Sequence, residues 1–494
     1  MPLEDANDTS SDDIQFCWHC GADIRYQTQS DICDNCQAPL KESTRKQIFK
    51  RTSPVQSIKC WRCGGTTSGD VCGICGSPLT MDGVGALRKK EEVTLEITDR
   101  VAVYSPKDRQ FVPIEMTFDE LKVTLEKYVE LIDAQNTEAG PLFIVRRPEN
   151  SKVTFAQLRK ESLFKEKYLK TLIRNEKINP EIQEITIRFF YWKPDTIKEQ
   201  FKFKKIGWNI GLYLATIITV SLAGWMFIRD NYTTYDFRGN LGLDIFLFTF
   251  SLLAILTVHE FGHYSVSRLK KLDASLPYFI PIPPIIPGTL GTFGALIRQK
   301  EPFVTRDDLF EIGIAGPIGG FITTIPIFLI GLRLTYIVDI VPLDPVPLAD
   351  IPTVLLADGL QYLGFATGIV PYYDPTMQMA VMHPMLFAGW IGFILTGINL
   401  VPASQLDGGH TTRAVFGGMA HRIVSLVFAG LMILNKFTRY MGLFILIFSF
   451  QPHPGATDDV SKVHWSKNIF LVLSWIVGIV CLPLPIGQIQ SLLQ

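Results

Sequence analysis

The chain has 494 residues, with 47 Lys and Arg against 48 Asp and Glu and a formal net charge of −1. That balance leaves no global basic field to hold nucleic acid, and a mean hydropathy of +0.20 is high for a protein that is soluble throughout. The apolar residues are unevenly placed: roughly the first 200 residues are mixed and charged, and long apolar runs dominate the rest, which predicts a water-facing N-terminal region followed by a membrane domain.

The opening, Met1-Pro-Leu-Glu-Asp-Ala-Asn-Asp, is acidic and lacks an apolar core, so it does not read as a secretory signal. The N-terminal region is therefore expected to stay on the cytoplasmic side. Of the 9 Cys, eight fall in four Cys-x-x-Cys pairs before residue 76, and Cys481 lies in the last apolar run as a packing residue. Cys17, Cys20, Cys33 and Cys36 form one four-thiol set, and Cys60, Cys63, Cys72 and Cys75 form a second. Two pairs complete a tetrahedral zinc site, and Gly21, Gly64 and Gly76 follow a second Cys where a tight knuckle favours glycine. The pattern predicts two structural zinc ribbons at 1–40 and 59–80, joined by a linker at 41–58 and followed by another at 81–92. Disulfides and iron are the alternatives, and a cytosolic location argues against the first. His19 reads as a surface residue of the first knuckle. Lys41, Arg45, Lys46, Lys59 and Arg62 are too few to specify nucleic acid; a cytosolic protein partner fits the ribbons at least as well.

From 93 to 200 the pattern is that of a small soluble α+β domain. Val93 to Thr98 alternates like a strand. Thr117-Phe-Asp-Glu120 reads as a capping box opening a helix with apolar positions from Phe118 to Ile132. Phe155 to Leu172 reads as a second, charged helix, and Ile185 to Trp192 as a strand. No catalytic constellation is evident there.

The membrane domain is expected over 206–488. Lys198, Lys202, Lys204 and Lys205 precede a first span, Trp208 to Ile228, and place its start on the cytoplasmic face. The second run opens near Leu241 and ends at His259-Glu260-Phe261-Gly262-His263, followed by Arg268, Lys270 and Lys271. On a helix, residues four apart lie on one face, so His259 and His263 can aim two imidazoles at one cation while Glu260 handles water. Ionisable groups at the end of an apolar span mark a functional site by default.

Pro277, Pro281, Pro283, Pro284 and Pro287, then Gly288 to Ile297, exclude a regular span. They predict a re-entrant loop followed by an extended edge that could pair with an unwound substrate segment. A third span, Leu309 to Leu334, carries Gly313, Gly316, Pro317, Gly319 and Gly320 for close backbone approach. The segment to Met379 is expected to be external and is too short for an inserted peptide-binding domain. A fourth span, Met385 to Val401, leads to Asn399-Leu-Val-Pro402 and Leu406-Asp407-Gly408-Gly409-His410. Ile423 to Phe450 reads as a helical hairpin broken at Asn435–Arg439, with one long helix as the alternative; Asn468 to Leu482 is the last span. The predicted class is a mainly α polytopic membrane protein of about six or seven transmembrane helices, with the zinc ribbons and the α+β domain ahead of them.

Two histidines leave zinc one protein ligand short. Asp407 is the candidate, because topology puts it on the same side as His263, and His410 is the alternative. At these residues a resemblance emerges. His259–His263 together with Asn399-x-x-Pro402-x-x-x-Leu406-Asp407-Gly408 resembles the site-2 protease family of intramembrane zinc metalloproteases. Gly291–Ala295 and Ala315–Gly320 are similar to the branch that includes the plant ethylene-dependent gravitropism-deficient and yellow-green proteases. The resemblance covers roughly Trp208 to Phe450. It implies a catalytic zinc held by His259, His263 and Asp407, Glu260 as general base, Asn399 near the scissile carbonyl, and a membrane-protein substrate with a transmembrane helix. The double ribbon departs from the bacterial members. Two other classes compete: a metal sensor or transporter on the same fold, which intact Glu260 disfavours, and a membrane-tethered adaptor working through its ribbons.

Overall fold

The computed structural model describes residues 58–59, 66–67, 100–137, 139–179, 182–194, 203–234, 239–285, 289–339, 354–374 and 376–483. The eight N-terminal cysteines and the strand expected at 93–98 lie outside the described residues. Contacts divide the chain into two units, 1–58 with 66–69, and 59–65 with 70–494. The short strands β1 (Ile58–Lys59) and β2 (Thr66–Thr67) pair with each other. All elements that follow belong to the second unit.

A six-stranded mixed sheet comes first, built from β3 (Arg100–Ser105), β4 (Gln110–Thr117), β5 (Leu131–Thr137), β6 (Gly140–Val145), β7 (Leu169–Asn179) and β8 (Ile182–Tyr191). Its order is β4-β3-β8-β6-β5, with β7 paired to β8 as a long hairpin. Helix α1 (Phe118–Glu126) starts at the expected capping box: Thr117 Oγ1 accepts from Glu120 N, and Glu120 accepts from Thr117 N. Ile132 belongs to β5 and not to this helix. The single charged helix expected from Phe155 to Leu172 is instead α2 (Ser151–Leu158), α3 (Ser162–Glu166) and the start of β7. The reason is local: Tyr168 takes a left-handed φ of 56°, which ends the helical run and redirects the chain along the sheet. Phe143, Phe155, Leu121, Leu125, Leu158 and Ile173 fill the core on one side of the sheet.

Helices then dominate. They are α4 (Phe203–Thr234), α5 (Leu241–Leu269), α6 (Arg306–Arg333), α7 (Leu355–Ala366), α8 (Pro384–Asn399), α9 (Asp407–Phe416), α10 (Gly418–Leu434), α11 (Arg439–Ser449) and α12 (Ser466–Cys481). Among the described residues three helices are long and apolar enough to cross a bilayer: α4 over Ile206–Arg229, α5 and α6. The apolar helices α8, α10, α11 and α12 have 16, 17, 11 and 16 residues. At 1.5 Å per residue these are shorter than a hydrocarbon layer of about 30 Å. The expected count of six or seven spans thus resolves into three full-length candidates and four shorter apolar helices.

The hairpin reading of 423–450 is the observed one. Asn435 Oδ1 accepts from Phe437 N, its Nδ2 donates to the Pro483 carbonyl, and Thr438 Oγ1 donates to the Met432 carbonyl, so the break is built from side-chain bonds. Where the proline-rich loop was expected, β9 (Tyr278–Pro281) and β10 (Thr292–Leu296) pair antiparallel. The segment before Met379 holds α7 between β11 (Tyr336–Asp339) and β12 (Gln378–Val381), which also pair; α7 was not expected. Cys481 is fully buried in an apolar cluster, as the packing reading requires.

A strap at 454–461 joins the sheet to the helices. Ile173 N donates to the Thr457 carbonyl, and Thr457 N donates to the Phe303 carbonyl. Asp458 forms parallel bridges with both Ile173 and Thr305, and Val460 is buried in the sheet's core. Arg159 pairs with Asp458 at 2.6 Å, where Asp458 is 1% exposed.

Candidate metal centre

The site forms where α5, α6, α8 and α9 meet. His259 and His263 lie one turn apart near the end of α5, and Asp407 is the first residue of α9. His259 Nε2 is 3.2 Å and His263 Nε2 is 3.3 Å from Asp407 Oδ2, and the two Nε2 atoms are 3.3 Å apart. Donors placed tetrahedrally at zinc distances of about 2.0–2.1 Å are themselves about 3.3 Å apart. The donor triangle therefore fits zinc in chemistry and in size. Among the described residues no other group of three or more His, Cys, Asp or Glu side chains converges in this way.

Several features set the triangle. His263 Nδ1 donates to the Ile312 carbonyl at 2.6 Å, which fixes the tautomer and turns the Nε2 lone pair inward. A Cβ on Gly316 would overlap the His263 ring, and one on Gly320 would press on His259 Nδ1 at 3.2 Å. The glycines of α6 thus make room for the two imidazoles, which the sequence suggested only as close helix packing. At Gly408 and Gly409 a Cβ would strike the Leu400 and Ser404 carbonyls, so a side chain at either position would push α9 and Asp407 off the 400–404 turn.

Glu260 is 9% exposed and lines the same cavity of about 530 Å³ as the three donors. Asn399, the last residue of α8, brings Nδ2 within 3.4 Å of His259 Nε2. On the cavity wall are Phe293 to Ile297, which include part of β10, together with Leu395, Met441 and Phe444. Phe293 and Leu296 are mostly exposed.

His410, the alternative third ligand, also lines the cavity but is engaged elsewhere. Gly455 N donates to His453 Nδ1, so His453 carries its proton on Nε2 and donates it to His410 Nδ1 at 2.7 Å. His410 Nδ1 is thereby occupied, and its proton sits on Nε2, leaving no lone pair for a cation. This neutral state suits His453, whose burial, helped by the neighbouring His410, His421 and Arg413, pushes its pKa well below the ordinary histidine range.

Sequence reasoning missed the groups that brace α9. Arg413, 5% exposed, binds Asp459 of the strap through two bonds of 2.9 and 2.6 Å. Arg306 donates to the Ala414 and Val415 carbonyls beside it, at the C-terminal end of the same helix. An isolated Arg or Asp in a sequence carries no sign of such a partner 46 or 108 residues away.

The family comparison agrees with this geometry. The model of Peptidase family M50 matches residues 247–445, which contain α6, α8 and α9 whole and the end of α5 with both histidines. Over this segment, about two-fifths of the chain, the protein is similar to peptidase family M50. The chain is 30% identical over 242 residues to the probable zinc metalloprotease EGY1, chloroplastic, of Oryza sativa subsp. japonica, which covers 48% of this chain and 40% of that protein. To the Arabidopsis thaliana protein of the same name it is 30% identical over 239 residues, covering 47% and 42%. To the probable zinc metalloprotease EGY2, chloroplastic, of Arabidopsis thaliana it is 30% identical over 242 residues, covering 47% and 40%. The chain thus spans about two-fifths of the length of these relatives. No solved structure matches it.

Proposed function

We propose that the chain is an intramembrane zinc endopeptidase that hydrolyses a peptide bond within or near a transmembrane segment of a membrane-protein substrate. The observation that carries this reading is the donor triangle of His259, His263 and Asp407 on the wall of a cavity shared with Glu260. Two imidazole lone pairs and a carboxylate turned toward one another repel unless a cation is shared among them. Zinc held there supplies Lewis-acid polarisation of the scissile carbonyl and brings the pKa of water toward about 7.

The remaining work falls to the chain. Glu260 accepts the proton of the attacking water and passes it to the leaving amine. Asn399, beside His259, donates Nδ2–H toward the oxyanion that develops on the attacked carbonyl. β10 offers an extended backbone to an unwound stretch of substrate, which must leave its helix before a peptide bond is accessible. Exposed Phe293 and Leu296 supply apolar contact for its side chains. The two four-cysteine sets act as zinc ribbons, supported by β1 and β2 bracketing Cys60 and Cys63. They and the sheet domain lie on the cytoplasmic side, together with the opening of the active site; the lysines at 198–205 and 270–271 support that orientation.

The test separates chemistry from metal. Glu260→Gln is expected to keep one zinc at the His259–His263–Asp407 site while cleavage of a single-span substrate falls by about 10²–10⁴-fold. Wild-type cleavage by a zinc-loaded Glu260→Gln protein would remove Glu260 from the reaction. Membrane proteomics of cells carrying this variant should show one or more single-span proteins accumulating uncut.

A further inference from the structure

A second cavity of about 450 Å³ lies between the sheet domain and the end of α5. It is within the size range of ligand sites. Its wall is strongly cationic: Arg159, Lys160, Lys170, Lys270 and Lys271 face one carboxylate, Glu301. Some of this charge is already matched. Arg159 pairs with Asp458, Lys170 with Glu301 at 3.1 Å, and Lys270 with Asp308 and Glu311. Lys160 and Lys271 form no ion pair with any described residue.

Two further observations point to a ligand. Thr171, on the same wall, is 5% exposed, and its buried hydroxyl has no hydrogen-bond partner. A buried hydroxyl without a partner is costly unless something supplies one. Lys271 occupies the left-handed position that closes α5, with φ 60°, Leu272 N bonded to the Ser267 carbonyl and Lys271 N to the Arg268 carbonyl. Glycine fits this cap with less strain; lysine there adds a cation to the lining of the cavity.

We infer that this cavity binds a phosphate-bearing anion, gripped by Lys160 and Lys271 with the Thr171 hydroxyl as an additional donor. Lysines act as point charges for phosphate, and a hydroxyl completes the coordination of its several oxygens. The source is either the headgroup of an anionic phospholipid or a soluble phosphate compound. The position suits a headgroup, because Lys270 and Lys271 directly follow the apolar span Leu241–Leu269. An occupant would fasten α2 and β7 of the sheet domain to the helix that carries His259 and His263. The site does not depend on the peptidase reading, and its test reads binding rather than cleavage.

The test uses the full-length protein in an uncharged detergent, with thermal unfolding followed by tryptophan fluorescence. Inorganic phosphate should raise the melting temperature saturably, beyond sodium chloride or sodium acetate at equal ionic strength, if the ligand is soluble. If it is a headgroup, the protein in bilayer discs should melt higher in phosphatidylcholine with phosphatidylglycerol than in phosphatidylcholine alone. A response in either arm supports the site and names its source. Lys160→Gln combined with Lys271→Gly, which suits the left-handed backbone, should weaken the response at least about tenfold in half-saturating concentration. Thr171→Val should keep the melting temperature without ligand and weaken binding about threefold or more. No response in both arms, a response equalled by acetate, or an unaltered response in either variant overturns the inference.

Discussion

Helix α5 carries a buried ionisable cluster at each end, and the two are built in opposite ways. At its first turn Asp244, 2% exposed, accepts from the Tyr232 and Tyr336 hydroxyls at 2.8 and 2.7 Å. Its other oxygen faces His383 Nε2 at 3.4 Å, and His383 Nδ1 accepts from Met385 N. Each acceptor there meets a donor, so the cluster is closed and ties α4, α5, β11 and α8 together. About 22 Å along the helix, at 1.5 Å per residue, His259 begins the other cluster. There two imidazole Nε2 atoms and a carboxylate oxygen, each able to bind a cation, converge on the wall of a cavity. Burial of polar groups is common to both ends. What distinguishes a candidate reaction centre is cation-binding atoms converging on open space.

The sharpest way to break this comparison is to remove an acceptor from the open cluster. Asp407→Ala is expected to abolish cleavage and to lower zinc affinity by more than about 100-fold, the upper end of the loss caused by an outer partner alone. Metal analysis of the purified protein checks it, and full zinc occupancy in the variant would mean that the triangle is not the metal site. A smaller loss is expected from Gly316→Ala, which touches no ligand covalently but crowds the His263 ring. Its zinc affinity should fall by about 10- to 100-fold, with overall melting much less affected. At the closed cluster the effects reverse. Asp244→Ala removes hydrogen bonds from two tyrosines and a histidine and should cost about 2–4 kcal/mol of stability, seen as a lower melting temperature. Zinc content should be unchanged. If the variant instead loses zinc while melting normally, the division into a structural and a reactive end is wrong.

The sequence made some of this legible and not the rest, for reasons that can be located. Local chemistry was readable: the capping box at Thr117, the break at Asn435, the i and i+4 histidines, and the glycines after Asp407 each follow from neighbours within a few residues. The third ligand was narrower than topology alone could make it. Asp407 and His410 lie within one turn of α9, and only the bond from His453 shows that His410 is occupied. The charged run Phe155 to Leu172 misled because its apolar spacing suits a helix or a strand, and Tyr168 decides it through a backbone angle that composition does not announce. The strap at 454–461 was invisible for a different reason. Its partners Arg159, Ile173, Val304 and Arg413 are scattered over more than half the chain, and no periodic pattern marks a segment held mainly by others' edges.

The smallest expected effect concerns the histidine just before that strap and follows from proton linkage. His453 is 9% exposed, and burial, with His410, His421 and Arg413 nearby, holds its pKa well below the ordinary 6.5. Above pH 6.5 it is neutral in both the folded and the unfolded chain, so its contribution is fully present. As the pH falls below 6.5, the unfolded chain takes up a proton that the folded chain refuses, and stability declines by up to about 1.4 kcal/mol per pH unit for one such group. Melting temperatures between pH 7.5 and 5 should therefore fall more steeply in the wild type than in His453→Gln, whose side-chain amide can still donate to His410 Nδ1. Because the substitution leaves Asp407 and both zinc-facing imidazoles in place, zinc occupancy at pH 7.5 should match the wild type. Equal slopes in the two proteins would mean that His453 takes its proton in the folded state, and the tautomer chain that keeps His410 off the metal would then be wrong.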